Sequence, residues 1–310
     1  MGVFVFLPLV LPLTAWPIAR LATQHLHPRT ATTLLSGVAA VMAMCSTLCL
    51  GLLMVVGTAQ LPGNPLPDGW SEPEVRESVP QDEIVGKAAI PLLLAVVAGC
   101  GRTLWRHYRV RRQAHTALAG LRGTPVAVLP DAEAYAYALP AGPRDRIVVS
   151  TAMLSCLNAQ ERRALFAHER AHLTARHHRH LLIAQLAAQA NPFLLPLRTA
   201  VPYVAEHWAD EEAAHCVGSR KAVARAIGKA ALVSRGTPGP TLAALAAPGP
   251  LPRRVAALLA PPPPARTWPP LFTAVGLALW SAAAGAAMSA MFSANSAVTL
   301  LLLLHAATPL

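Results

Sequence analysis

The chain has 310 residues, of which 54% are apolar and only 13% charged, with a formal net charge of +11. A soluble globular protein carries about 25% charged residues, so this composition excludes a disordered chain and speaks against an ordinary soluble enzyme. The basic excess gathers beside apolar stretches, the pattern of cytoplasmic loops of a membrane protein rather than of a nucleic-acid face, and five cysteines without close even spacing give no disulfide framework.

Taken in chain order, the first apolar run predicts a membrane span at about 3–19. It lacks the basic start of a cleavable leader and is punctuated by Pro8, Pro12 and Pro17, so a retained anchor is expected. A second span is predicted at 33–58 and a third at 84–105, with Lys87 and Arg102 near the ends of the third. Arg20 and Arg29 lie between the first two spans. The loop from Gln60 to Gly86 is acidic, and Arg102, Arg106, Arg109, Arg111 and Arg112 follow the third span. This alternation predicts an outside N-terminus and a cytosolic segment after about residue 105. No charge follows Arg266, so 270–292 is a fourth predicted span, and 295–308 is a short candidate for a fifth. The expected domains are 1–105 in the membrane, 106–266 in the cytosol and 267–310 in the membrane.

Within 106–266, three β-like runs follow a basic helical stretch: Val126–Leu129, Ala134–Ala138 and Arg146–Ser150, separated by Pro and Gly signals. Helical patterning then takes over. Asn158 with Glu161 three residues later has capping-box spacing, and Ser219 precedes a helix to about Ser234. A short helix, Arg253–Leu259, lies between Pro-rich segments, and the apolar stretch Leu181–Val204 predicts a helical hairpin touching the bilayer.

The sharpest motif is His168-Glu169-Arg170-Ala171-His172, an HExxH match. On a helix, residues four apart share a face, so both imidazoles can reach one metal while Glu169 takes a proton from water. Two imidazoles and a carboxylate suit zinc with one open position. The third ligand is sought downstream, where Glu206 is expected to bind zinc and Asp210 to accept a hydrogen bond from a ligand histidine. Glu211 and Glu212 are expected to be an exposed acidic face. His177, His178 and His180 are expected to be a His/Arg cluster at the membrane surface. Tyr203, His207, His215 and Arg220 are all candidates for stabilising an oxyanion, and spacing does not choose among them.

The succession Ala136-Tyr137-Ala138-Leu139-Pro140, Ile147-Val148-Val149-Ser150, HExxH and Glu-x-x-Ala-Asp resembles the membrane-embedded gluzincin peptidases, among them HtpX, the CAAX prenyl proteases and the BlaR/MecR peptidases. Pro252-Arg253-Arg254-Val255 is similar to the closing Pro-x-x-Arg helix of the BlaR/MecR group. The resemblance covers about 85–290. It implies a mainly α membrane protein with four spans, or five if 295–308 crosses, and a cytosolic α+β gluzincin-type zinc domain. It also implies His168, His172 and Glu206 as ligands of one zinc ion, Glu169 as the base, and the strand Ile147, Val148, Val149, Ser150 as the partner of an extended substrate. The expected partners are a protein or peptide substrate, the lipid bilayer and a sensor or regulator, with no nucleic acid. The BlaR/MecR sensors carry a penicillin-binding domain after their last span, and this sequence shows none. Any signal is therefore expected to enter through the Gln60–Gly86 loop, the spans or a partner. The rival expectation is a zinc-binding membrane module that signals or scaffolds without cutting.

Overall fold

Proline decides the N-terminal segment. In a computed structural model describing residues 6–63, 66–71, 82–118, 124–140, 145–234, 251–263 and 268–306, the first apolar run is not one helix. It breaks into α1 (Leu7–Val10), a 3-10 turn (Leu11–Thr14) and α2 (Ala15–His25). Pro8 and Pro12 each open a new turn, because proline has no N–H to continue the preceding one. The single span expected at 3–19 is therefore corrected to a broken helix, and residues 3–5 lie outside the described residues.

The next two expected spans lie within α3 (Pro28–Ala59) and α4 (Asp82–Ala117). The basic stretch after residue 105 continues α4 rather than starting a new element. Nothing between Phe292 and Ala297 breaks a helix, and the two C-terminal candidates fuse into one helix, α11 (Ala274–Ala306). Among the described residues, three helices are long and apolar enough to cross a membrane: α3, α4 from Ile84, and α11. They mark a membrane protein. At 1.5 Å per residue each runs to about 50 Å, well beyond a hydrocarbon core of about 30 Å. α3 and α4 cross at Gly57 and Gly86, where a Cβ on either would collide with the other's backbone.

After α4 come three strands, β1 (Val126–Leu129), β2 (Ala136–Leu139) and β3 (Arg146–Ser150). Their order in the sheet is β1-β3-β2, with β3 parallel to β1 and antiparallel to β2. Helices follow in series: α5 (Thr151–Cys156), α6 (Ala159–Thr174), α7 (His177–Ala190), α8 (Leu195–Val217), α9 (Arg220–Val233) and α10 (Leu251–Leu259). The expected hairpin over Leu181–Val204 is α7, a 3-10 turn (Pro192–Leu194) and the start of α8. Buried Asn191 holds its bend, donating to the Leu9 carbonyl (3.2 Å) and to Ser46 Oγ (3.0 Å) while accepting from the Phe193 N–H (3.0 Å). The Pro-rich segment 238–250 and Glu72, Glu74 and Glu77 of the acidic loop lie outside the described residues.

Two cores meet on α8. Its first half (Leu197, Val201, Val204) packs with Ala15 and Ile18 of α2, Leu35 and Met42 of α3 and Leu279 of α11. Its second half (Ala213, Ala214) packs with Ala164 of α6, Val223 of α9 and Leu258 of α10. None of the five cysteines is in a disulfide.

The N-terminus of α6 forms the capping box read from the sequence: Asn158 Oδ1 accepts from the Glu161 N–H (2.8 Å), and Glu161 Oε2 accepts from the Asn158 N–H (3.0 Å). Lys229 Nζ of α9 donates to the same Glu161 oxygen at 2.8 Å. Burial opposes the charge on Glu161, but Lys229, the Asn158 N–H and Arg225 outweigh it and hold the carboxyl below its ordinary range. A carboxyl whose pKa is depressed by folding adds stability above its unfolded pKa, about 4.3, and loses it as pH falls through the folded value. Glu161→Gln keeps the cap and removes the charge. Its apparent Tm in detergent should lie below that of the wild type at pH 7, and the gap should close as pH falls below about 4. A gap independent of pH would contradict this.

Candidate metal centre

The HExxH segment lies on α6, so His168 and His172 stand one turn apart with their Nε2 atoms 3.1 Å from each other. Glu206 arrives from α8, its Oε2 lying 3.4 Å from His168 Nε2 and its Oε1 3.4 Å from His172 Nε2. These three residues form a group able to hold a metal ion. A tetrahedral ion with bonds of 2.0–2.1 Å has ligands about 3.3 Å apart, so the donors already have the spacing of one tetrahedral face. Burial adds a second sign of fit. Glu169 and Asp210 are buried and Glu206 is largely so, yet among the described residues Arg254 is the only buried guanidinium beside them. Three carboxylates against one fixed cation favour a further positive charge.

Arg254, on α10, organises the acids. Its Nε donates to Asp210 Oδ2 (2.8 Å), its Nη2 to Asp210 Oδ1 (2.6 Å), and its Nη1 lies 2.9 Å from Glu206 Oε2. Against the cost of burial, Arg254 and the two histidines hold the Glu206 carboxyl well below the usual range. Asp210 is held low, also against burial, by His168 and Arg254. Asp210 Oδ1 lies 2.9 Å from His168 Nδ1.

Glu169 follows the first histidine and is 8% exposed. Burial pushes its carboxyl up to about 7. The charge of Glu206 acts the same way, while His168, the Ala138 N–H and Arg254 oppose. The Ala138 contact matters for geometry, because it sets Glu169 against the outer edge of β2.

Residues 101–198 match the model of peptidase family M48. No curated protein and no solved structure matches the chain. The matched stretch holds His168, Glu169 and His172 but stops short of Glu206, which the fold brings to them. Similarity to the M48 family over that stretch supports a metallopeptidase.

The strand expected to receive substrate needs correction. Ile147, Val148, Val149 and Ser150 belong to β3, the middle strand, paired with β1 on one side and β2 on the other. Its backbone is spent on both sides, and Ser150 Oγ caps α5 by accepting from Met153 N–H (3.1 Å) and also accepts from Tyr135 N–H (3.1 Å). The edge strand facing Glu169 is β2.

The oxyanion candidates separate. Arg220 is committed elsewhere, donating to the Leu258 (3.0 Å) and Ala257 (2.7 Å) carbonyls and pairing with Glu211. His215 is exposed, nine residues or about 13 Å along α8 from Glu206. Tyr203 lies under the Arg253 guanidinium (4.4 Å) one turn before Glu206, and His207 is next to Glu206. Glu212 is exposed as expected, but Glu211 is an ion-pair partner rather than a solvated acid.

Sequence reasoning missed two residues. In the sequence Arg254 stands only as part of a Pro-x-x-Arg helix, and nothing local ties it to Asp210, 44 positions away. The cluster His177, His178 and His180 is not a surface feature as a whole. His177 is 1% exposed and meets His172, while His180 Nδ1 lies 2.7 Å from Ser36 Oγ of α3.

Proposed function

We propose that the protein is an integral membrane zinc metalloendopeptidase, cutting peptide bonds on the cytosolic side, with one zinc ion per chain held by His168, His172 and Glu206. The observation that carries the reading is the convergence of two Nε2 atoms from α6 and a carboxylate from α8 beside a second, buried acid, Glu169. When bound there, zinc supplies Lewis acidity that polarises a carbonyl and acidifies water. Glu169 is the general base: it takes the proton of the attacking water and hands it to the departing amine. Asp210 and Arg254 hold His168 and Glu206 in place from behind. An extended peptide pairs with the outer edge of β2 at Ala136–Leu139, which runs past Glu169. Tyr203 or His207 donates to the developing oxyanion.

The basic end of α4 and the acidic loop before it support a peptidase region, 106–266, on the cytosolic side of the cell membrane, flanked by membrane regions 1–105 and 267–310; an N-terminus outside requires in addition that the broken segment α1–α2 crosses as one span. A layout with the zinc motifs between membrane helices is also compatible with signal-dependent cleavage of a regulator, as in the BlaR/MecR type. The test uses the full chain purified in detergent. Zinc should approach one per chain, casein cleavage should be abolished by chelators, and Glu206→Ala should lose the metal. Stoichiometric zinc in Glu206→Ala would overturn the ligand set. Zinc without any cleavage would replace the enzyme with a binding module.

A further inference from the structure

We propose that His177 positions the ligand ring of His172 by accepting a hydrogen bond from its Nδ1–H. This rests on the zinc reading above and adds a residue to it. The two Nδ1 atoms are 2.9 Å apart, with the rings nearly perpendicular (84°) and their centroids 4.7 Å apart.

Two neutral imidazoles in such contact must divide the roles of donor and acceptor. His172 turns its Nε2 toward His168 and Glu206, so as a ligand it keeps a lone pair there and carries its proton on Nδ1. His177 Nδ1 must then accept, which places the proton of His177 on Nε2. That Nε2 is buried and makes no hydrogen bond among the described residues, and the His177 ring packs edge-on against that of Trp208 with centroids 4.7 Å apart. A buried N–H without a partner is costly, and an apolar ring at this position would avoid the cost. What the histidine adds over an apolar ring is the acceptor on its other nitrogen.

The backbone gives an independent sign. Arg176, immediately before His177, has φ 52° and ψ 42°, the only positive φ at a non-glycine among the described residues. L side chains adopt this conformation at a cost, and such strain collects where surrounding structure imposes a function. The left-handed turn ends α6 sharply and starts α7 with His177 folded back onto His172. The choice of a neutral acceptor also fits the local charge. His168 faces the Asp210 carboxylate, and with Glu206 and Glu169 already buried, a fourth acid behind His172 would crowd one negative site. His177 orients without adding charge.

The experiment compares zinc affinity of the full-length protein and its variants in detergent, by competition with a chromophoric chelator, together with the visible absorption of the cobalt-substituted proteins. His177→Phe keeps a ring and removes the acceptor, and should weaken zinc binding by about 10–100-fold. His177→Asn sets an amide oxygen near the former Nδ1, and should restore both the affinity and the wild-type cobalt spectrum. If the Phe variant does not fold, His177→Ser, too short to reach His172, takes its place. Wild-type affinity in the Phe or Ser variant would overturn the assignment, as would an Asn variant as weak as either. A wild-type protein that binds no zinc would instead bring down the metal reading, and this inference with it.

Discussion

Glu169→Gln should retain zinc near one per chain while losing casein cleavage by a factor of about 10²–10⁴, the usual worth of a positioned general base, and toward the upper end because one carboxylate serves both proton transfers. The amide matches the carboxylate in shape and can still accept from the Ala138 N–H, so the contact with β2 survives. It cannot take a proton from water. Metal content and cleavage measured on the same sample separate the roles: ligand variants at His168, His172 or Glu206 should lose both, and this variant only one. Undiminished proteolysis by the zinc-loaded Gln protein would remove Glu169 from the reaction.

Arg254→Met should be the most damaging single change to stability outside the ligands. Asp210 is 0% exposed and has both oxygens bonded by this one guanidinium, which also meets Glu206. Breaking a buried ion pair from one side leaves an uncompensated charge and costs about 3–5 kcal/mol. Here two carboxylates would be stranded together. Because Arg254 is one of the ties of α10, beside the Arg220 bonds to its last turn, the loss should appear as a lower apparent Tm and as protease cutting around 251–259. Adding Asp210→Asn to Arg254→Met should recover much of the stability, since the remaining groups are then nearly neutral. A single Arg254→Met variant within about 1 kcal/mol of wild type would show a pair no stronger than one on the surface.

The features visible in the sequence are those set by short-range chemistry. The Asn158–Glu161 capping box is a four-residue pattern, and the structure forms both of its hydrogen bonds. HExxH and the Glu206–Asp210 pair are each one helical turn, so their shared faces follow from the 3.6-residue period alone. Strand existence was legible for the same reason, since Val126–Leu129 and Arg146–Ser150 are dense in β-branched residues between breakers. Strand order was not. The insertion of β3 between β1 and β2 is a long-range event with no local mark, and it moved the exposed edge from Ile147–Ser150 to Ala136–Leu139. The N-terminal run illustrates a competing rule: apolar length predicts a span, but proline spacing breaks the helix inside it. Arg254 and His177 were hidden for different reasons. One needed a tertiary contact across 44 positions, the other a single left-handed residue that no propensity favours.

One helix has to serve two cores. Leu197, Val201 and Val204 belong to the greasy interior shared with α2, α3 and α11, while Glu206, less than one turn further along α8, completes the donor set. The hydrolytic half is therefore no detachable cassette. Excised at residues 105 and 266, it would keep every ligand in its sequence yet present the shaft that carries the third one, bare, to water.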